Sequence, residues 1–360
     1  MFLYLTINIL YLLYLILLYM SPKLHSTIIN GIKDIINQIN IDNFQGKHVL
    51  ITGGAGFLGS WICDVLIEAG SEVTCIDNYS SGLSSNISRL INHPNFHHLK
   101  SDIPDFNSLK TKFDYILHFA SIASPDAYQK YPTETLKVNS LGTFNILELA
   151  RKHDSKLLFS STSEIYGDAT VFPTPENYWG YVNPVGIRSP YDESKRFSEA
   201  LIVAYYREYN LNTNIIRLFN TYGPRLRNDG IYGRALSKFI HQAINNLNLT
   251  VYGDGKQTRS FTYVTDTIIG VFKTLLSEKH NGEIFNIGNP NETTILDLAH
   301  KILSITKSNS KITFLPLPED DPKRRNPDIS KASKLLNWEP NIDLDTGLKF
   351  TIPWLKEQIL

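Results

Sequence analysis

The junction that most limits what this chain can fold into is the run Lys47-His48-Val49-Leu50-Ile51-Thr52, which leads directly into Gly53, Gly56 and Gly59. A short aliphatic and β-branched run is what a buried parallel strand requires. Glycines three apart let the backbone turn tightly, approach an anion and pack closely on the strand. Ser60 to Ala69 then reads as a helix whose free N–H groups and positive dipole end face that anion. A second apolar run, Glu72 to Ile76, ends at Asp77, 18 residues beyond Gly59. An acid at that place bonds both ribose hydroxyls of a dinucleotide and repels a 2′-phosphate, so NAD is expected over NADP. Asp102, closing the stretch Phe96 to Ser101, is placed either against the adenine or as a turn cap.

A second constellation carries chemistry. Tyr191 and Lys195 are four residues apart on the helical stretch Tyr191 to Tyr209, one turn from each other on a single face. An ammonium beside a phenol, with a positive nicotinamide ring nearby, is expected to lower the tyrosine pKa and make it a base. Upstream, Leu157 to Gly167 reads as a buried strand ending in the hydroxyls of Ser160, Ser161, Thr162 and Ser163 and the carboxylate of Glu164. Ligands bind at the carboxyl ends of strands in an open parallel sheet, so this row faces the nicotinamide. Thr162 is placed to bond the reacting hydroxyl, and Glu164 to serve as a second acid/base, to orient a water, or as a helix-capping carboxylate.

Apolar strand-like segments at 47–52, 72–76, 96–101, 114–119, 156–161 and 213–218 alternate with helical patterns at 58–69, 133–152 and 191–209. This alternation predicts an α/β fold, a Rossmann-type doubly wound parallel sheet. Beyond Asn220 the pattern is less regular and predicts a smaller C-terminal α/β substrate lobe with the ligand cleft between the two. The expected division is 46–220 for the NAD-binding part and 221–360 for the lobe, partly interleaved. Residues 1–20 carry no charged side chain and as a helix would span about 30 Å, so they are read as an N-terminal membrane anchor. Residues 21–45, with Ile29, Ile32, Ile35, Ile36 and Ile39 at helical spacing, are read as an amphipathic linker. Lys23 and Lys33, which follow the anchor, place the catalytic part in the cytoplasm. The long helices 133–152 and 191–209 have apolar faces that suit either a four-helix homodimer interface or burial within one subunit.

Taken together, Gly-Gly-Ala-Gly-Phe-Leu-Gly (53–59), Ser-Thr-Ser-Glu-Ile-Tyr-Gly (161–167) and Tyr-Asp-Glu-Ser-Lys-Arg (191–196) resemble the extended short-chain dehydrogenase/reductase family acting on nucleotide sugars. Residues 177–196, 250–261 and Asp320-Asp321-Pro322-Lys323-Arg324-Arg325 are more similar to its UDP-glucuronate decarboxylases than to its 4-epimerases or 4,6-dehydratases. The resemblance runs from about residue 46 to the C-terminus. It implies that Tyr191 accepts a proton with Lys195 as its partner, that Thr162, Ser163 and Glu164 line the reacting sugar, and that Arg259 approaches the substrate carboxylate or diphosphate. Lys137, Asn220 and Arg234 fall among its nucleotide-sugar contacts. The implied cofactor groove comprises Gly53, Gly56, Phe57, Leu58, Gly59, Asp77, Asn78, Tyr79, Ser80, Asp102, Ile103, Phe119, Ser121, Ser160, Tyr191 and Lys195. Ser194 stands where the family often has Gly, Pro190 where it often has Cys, and residues 227–234 depart from its pattern in length and composition. Relatives of this kind in eukaryotes often face the Golgi lumen.

The activity the resemblance implies is NAD-dependent decarboxylation of UDP-glucuronate to UDP-xylose. A 4-epimerase or 4,6-dehydratase remains the alternative, and a protein that binds NAD without turnover a third reading. Thirty-five basic and 35 acidic residues balance, which offers no electrostatic case for nucleic acid. Cys63 and Cys75 fall in the first helix and second strand and read as packing residues. No His/Cys cluster has metal spacing, so no metal is expected.

Overall fold

The computed structural model describes residues 25–105, 109 and 111–359; the expected membrane anchor at 1–20 lies outside them. Among the described residues no helix is long and apolar enough to cross a membrane. The central sheet has seven parallel strands: β1 (His48–Thr52), β2 (Glu72–Asp77), β3 (Phe96–Lys100), β4 (Tyr115–His118), β5 (Lys156–Thr162), β6 (Thr213–Leu218) and, later in the chain, β11 (Ile284–Ile287). Their spatial order is β11-β6-β5-β4-β1-β2-β3. The order reverses between β1 and β4, so the crevice for a ligand opens at the carboxyl ends of those two strands. There Thr52 Oγ1 meets His118 Nδ1 at 2.7 Å and accepts from the N–H groups of Phe119 and Ala120, both at 3.2 Å.

Helices α1 (Ser26–Gln38), α2 (Phe57–Glu68), α3 (Pro125–Lys130), α4 (Pro132–His153) and α5 (Ser189–Tyr209) belong to the first two thirds of the chain. Pro190 sits in the first turn of α5, where its missing N–H has no partner to lose. Asn210, left-handed at φ 54°, ends that helix. The isoleucine spacing at 24–44 does make a helix, α1, but the helix is not a free tether: Ile28, Ile32 and Ile35 are buried in the core that contains Trp61 and Phe272. His25 caps it by accepting from Thr27 N.

The remaining elements are β7 (Thr221–Tyr222), α6 (Ala235–Ile244), β8 (Leu249–Tyr252), β9 (Thr258–Ser260), β10 (Thr262–Tyr263), α7 (Val264–Leu275), β12 (Glu292–Thr294), α8 (Ile295–Thr306), β13 (Ile312–Leu315), α9 (Ser330–Leu336) and α10 (Leu344–Ile359). They form the two-stranded pairs β7–β10, β9–β12 and β8–β13 with their helices. β11 returns to pair with β6, so the C-terminal third is threaded into the main sheet as well as building the lobe. Fully buried Asp64 on α2 ion-pairs with Arg89 and with Arg225, each at 2.7 Å, and so ties the dinucleotide helix to the segment that opens the lobe.

Candidate active site

A single cleft of about 840 Å³ runs between the sheet and the lobe, from the glycine turn to β9 and the segment 318–325. At its nucleotide end Gly53 has φ +73°, and a Cβ on Gly59 would lie 2.2 Å from the Gly53 carbonyl, so neither position admits a side chain. Gly56 caps α2 without a side-chain bond, leaving the first N–H groups of Phe57 and Leu58 for an anion. Asp77 closes β2 with one oxygen accepting from Ala55 N (2.9 Å) and the other from Tyr79 N (2.8 Å). Burial pushes its carboxyl up, and those two N–H groups oppose the shift. Free N–H groups, a backbone without Cβ atoms and a fixed acid fit a dinucleotide with unphosphorylated ribose.

Gly53, Gly56, Phe57, Leu58, Gly59, Asp77, Asn78, Ser80, Asp102, Ile103, Phe119, Ser121 and Ser160 all line the cleft. Tyr79 does not: its backbone is left-handed at φ 61° and its hydroxyl turns to His98 Nε2 at 2.9 Å, so it contributes its N–H to Asp77 and no ring to the groove. Asp102 does line the cleft, and its carboxylate also accepts from Ile103 N at 2.9 Å. The irregular stretch 227–234 straps the groove from the lobe side. Arg227 Nη1 donates to Ser81 O (3.0 Å), Tyr232 Oη to Ser80 O (2.5 Å) and Arg234 Nη2 to Ala123 O (3.2 Å).

Tyr191 and Lys195 rise from the first turns of α5 into the middle of the cleft. Lys195 Nζ donates to Ser160 O at 2.7 Å and lies 6.0 Å from the Tyr191 ring centre. Burial pushes the Tyr191 phenol up to about 12, while Arg234 and the Thr162 hydroxyl pull it down. Burial lowers Lys195 to about 7. The expected drop in the phenol's pKa is therefore outweighed in the protein alone, because desolvation works against both charged forms. Arg234 is brought to Tyr191 despite its unusual surroundings. Below the pair runs a buried polar chain. Asn139 Nδ2 donates to Ser194 Oγ at 2.9 Å, Ser194 Oγ to Tyr191 O at 3.0 Å, and Thr143 Oγ1 lies 3.2 Å from His118 Nε2. Ser194 is thus absorbed by a bond to α4. Burial holds His118 down at about 3, so it stays neutral.

The sugar end is a cluster of charges drawn from four places. Glu164, in the turn after β5, pairs with Arg188 at the start of α5 and with Arg325 of the lobe, the latter at 2.6 Å. Arg325 Nη1 also donates to Ser163 Oγ at 3.2 Å. Arg259 on β9 pairs with Asp321 at 3.0 Å, and Arg188 lies 3.9 Å from the same carboxylate. Burial pushes the Glu164 carboxyl up, but the guanidiniums of Arg188 and Arg325 overcome it and hold the group at about 2. Glu164 is therefore ionised and cannot serve as a proton donor near neutrality; it fixes two arginines instead. Asp192, buried behind Tyr191, is pushed up to about 7 by burial and by Glu164.

Asn220, Arg234 and Arg259 line the cleft as expected, but Lys137 does not. It lies on the exposed side of α4, whose cleft-facing positions are Glu134 and Val138. Among the described residues no group of three metal-ligating side chains converges. Arg188, Tyr128 and Arg325 line the site without having been assigned a role from sequence; Arg188 and Arg325 stood only within the family-like stretches 177–196 and 320–325.

A family profile described as GDP-mannose 4,6 dehydratase matches residues 50–351. The chain is 45% identical over 314 residues to UDP-glucuronic acid decarboxylase 1 of Danio rerio, covering 87% of this chain and 73% of that one. It is 44% identical over 312 residues to UDP-glucuronic acid decarboxylase 4 of Arabidopsis thaliana, covering 87% and 69%. Its fold superposes with a TM-score of 0.79, at 30% identity, on UDP-glucuronic acid 4-epimerase from Bacillus cereus in complex with UDP-glucuronic acid and NAD, over 87% of this chain and all of that one. The protein belongs to the extended short-chain dehydrogenases/reductases of the GDP-mannose 4,6-dehydratase family, NAD-dependent enzymes of nucleotide sugars, and within them to the UDP-glucuronic acid decarboxylases.

Proposed function

We propose that this enzyme converts UDP-glucuronate to UDP-xylose and carbon dioxide. The observation that carries the reading is the arginine cluster at the sugar end, with Glu164 ionised between Arg188 and Arg325 one turn of chain from Thr162. Three guanidiniums (Arg188, Arg259, Arg325) against two carboxylates (Glu164, Asp321) and the partly ionised Asp192 leave an excess of positive charge for an anionic sugar. A 4,6-dehydratase must protonate a departing hydroxyl, and an acid held at about 2 does not supply that proton.

Tyr191 receives the proton of the sugar's carbon-four hydroxyl, with Thr162 bonding the same oxygen. The nicotinamide supplies reversible hydride acceptance at carbon four, so the cofactor is recycled. The resulting ketone stands β to the carboxylate, and the bond between carbons five and six breaks with its electron pair passing into the enolate. Tyr191, Thr162 and Arg234 surround the oxygen that takes up this charge, an electrostatic contribution. A proton from solvent then reaches carbon five, and once the bound cofactor has given its hydride back Tyr191 would return its proton to the carbon-four oxygen to complete the pentose.

Incubation of the purified protein with NAD and UDP-glucuronate, read by mass spectrometry, should yield a UDP-pentose and carbon dioxide, with UDP-glucose and UDP-galactose unchanged. UDP-galacturonate as sole product would make the enzyme a 4-epimerase. Exposed Leu136, Leu141 and Phe144 on α4 and Phe197 on α5 support a homodimer through these helices. The uncharged run at 1–20 supports a membrane anchor, with Lys23 and Lys33 keeping the catalytic part on the cytoplasmic side.

A further inference from the structure

Two donors beside the catalytic tyrosine have no acceptor among the described residues. Tyr128, on α3, is 1% exposed and Arg188 9%; both line the cleft, and both the Tyr128 hydroxyl and the Arg188 Nε–H are buried without a partner. The two side chains are neighbours, with the guanidinium carbon 5.9 Å from the centre of the Tyr128 ring. Tyr128 also lies flat on Tyr191, ring centres 5.2 Å apart and planes 3° from parallel. A buried donor without an acceptor is costly, and native structures seldom leave one unexplained. The other groups at the sugar end each have a partner: Glu164 Oε2 accepts from two guanidiniums, Asp321 Oδ2 from Arg259, and Ser163 Oγ from Arg325.

We propose that the Tyr128 hydroxyl and the Arg188 guanidinium form the subsite that takes the carboxylate of the hexuronic acid. The assignment rests on the proposed function for its ligand. A carboxylate takes two donors through two charged oxygens, in charge-assisted bonds that the single neutral oxygen of a hydroxymethyl group does not offer. The excess positive charge of the cluster matches it.

The stacked phenols divide the work. Burial holds Tyr191 back from ionisation too, but Arg234 and the Thr162 hydroxyl oppose it there. Burial drives Tyr128 further from it, with Arg188 opposing and Glu164 reinforcing, so Tyr128 remains a neutral donor and never competes as a base. Arg188 is already engaged by Glu164, which weakens its hold on a second anion. That moderation suits the chemistry, because the carboxylate must leave as neutral carbon dioxide and a tight grip on it stabilises only the ground state.

The test uses NAD-loaded enzyme in a Tyr191→Phe background, which keeps the stacked ring and stops turnover so that binding can be read by calorimetry. UDP-glucuronate should bind more tightly than UDP-glucose. Adding Tyr128→Phe should weaken UDP-glucuronate by about tenfold, the scale of one hydrogen bond to a charged group, and leave UDP-glucose and UDP within about twofold. Arg188→Lys, which keeps the charge but loses Nε–H, should shift in the same direction. Equal losses for both sugars, no loss for UDP-glucuronate, or no preference for it before mutation would overturn the subsite. Product analysis of the wild-type enzyme reads the proposed reaction separately: a hexuronate epimer as product would sink decarboxylation while leaving the calorimetric result for the subsite intact.

Discussion

The two ends of the cleft are built in opposite ways. At the nucleotide end the glycine turn, the helix N-terminus and the ribose acid come from one contiguous stretch, from β1 through α2 to Asp77, and recognition by the first two is through the backbone. At the sugar end Tyr128, Glu164, Arg188, Arg259, Asp321 and Arg325 come from six separated positions and meet only in the fold, and recognition is by side-chain charge. Backbone recognition can be shared by many enzymes, whereas the charged end decides what the bound sugar becomes.

That contrast predicts a graded series of effects. Tyr191→Phe should lower kcat by about 10³-fold or more, the scale of lost general-base catalysis, while NAD stays bound, measured by denaturing the purified variant and quantifying released cofactor. Activity within tenfold of wild type would remove Tyr191 as the base. Glu164→Gln should cost roughly 10²-fold, comparable to losing one preorganised electrostatic group, and should let a 4-keto UDP-sugar build up, visible by mass spectrometry. Loss of rate without that species would mean Glu164 serves the first oxidation as much as the later steps. At the nucleotide end, Asp77→Asn should weaken NAD by about tenfold, with one acceptor lost, and narrow the preference over NADP, read by fluorescence titration. Smallest of all, Ser194→Gly should change kcat by less than about threefold, since it removes only neutral hydrogen bonds, one from Asn139 and one to the Tyr191 carbonyl.

Acid stability separates the ends as well. The folded Glu164 carboxyl is held near 2, below its ordinary 4.5, so its pairing stabilises the fold above about 4.5 and is lost as pH falls toward 2. The Tm difference between wild type and Glu164→Gln should therefore be full at pH 6 and shrink through that window. A difference independent of pH would mean the carboxylate is not the titrating group.

The fold was legible because its signals are local. Apolar runs, glycine spacing and helix periodicity put β1 to β6, α2, α4 and α5 within a residue or two of where they stand. The helical spacing of Ile32 and Ile35 was legible too, but whether that face binds a partner or its own core depends on Trp61 and Phe272, which lie far along the chain. The departures at the site share this cause. Arg324 and Arg325 are adjacent in sequence, yet one pairs outward with Glu292 and the other inward with Glu164. The bonds that tie 323–328 to Thr174, Thr258 and Ser260 set that phase. For Lys137 the helix pattern itself carries the answer, since the small and apolar residues Thr135, Val138 and Gly142 mark the buried face of α4 and leave Lys137 off it. The ionisation of Tyr191 is not legible in the spacing, which reports the neighbour and not the desolvation, here the larger influence.

The most direct measurement follows one atom. UDP-glucuronate carrying deuterium at carbon four, incubated with the NAD-loaded enzyme, should give a UDP-pentose that retains the label at carbon four, with carbon dioxide released and no free NADH. A six-carbon product, or a pentose whose carbon-four label has been replaced by solvent hydrogen, would contradict the account.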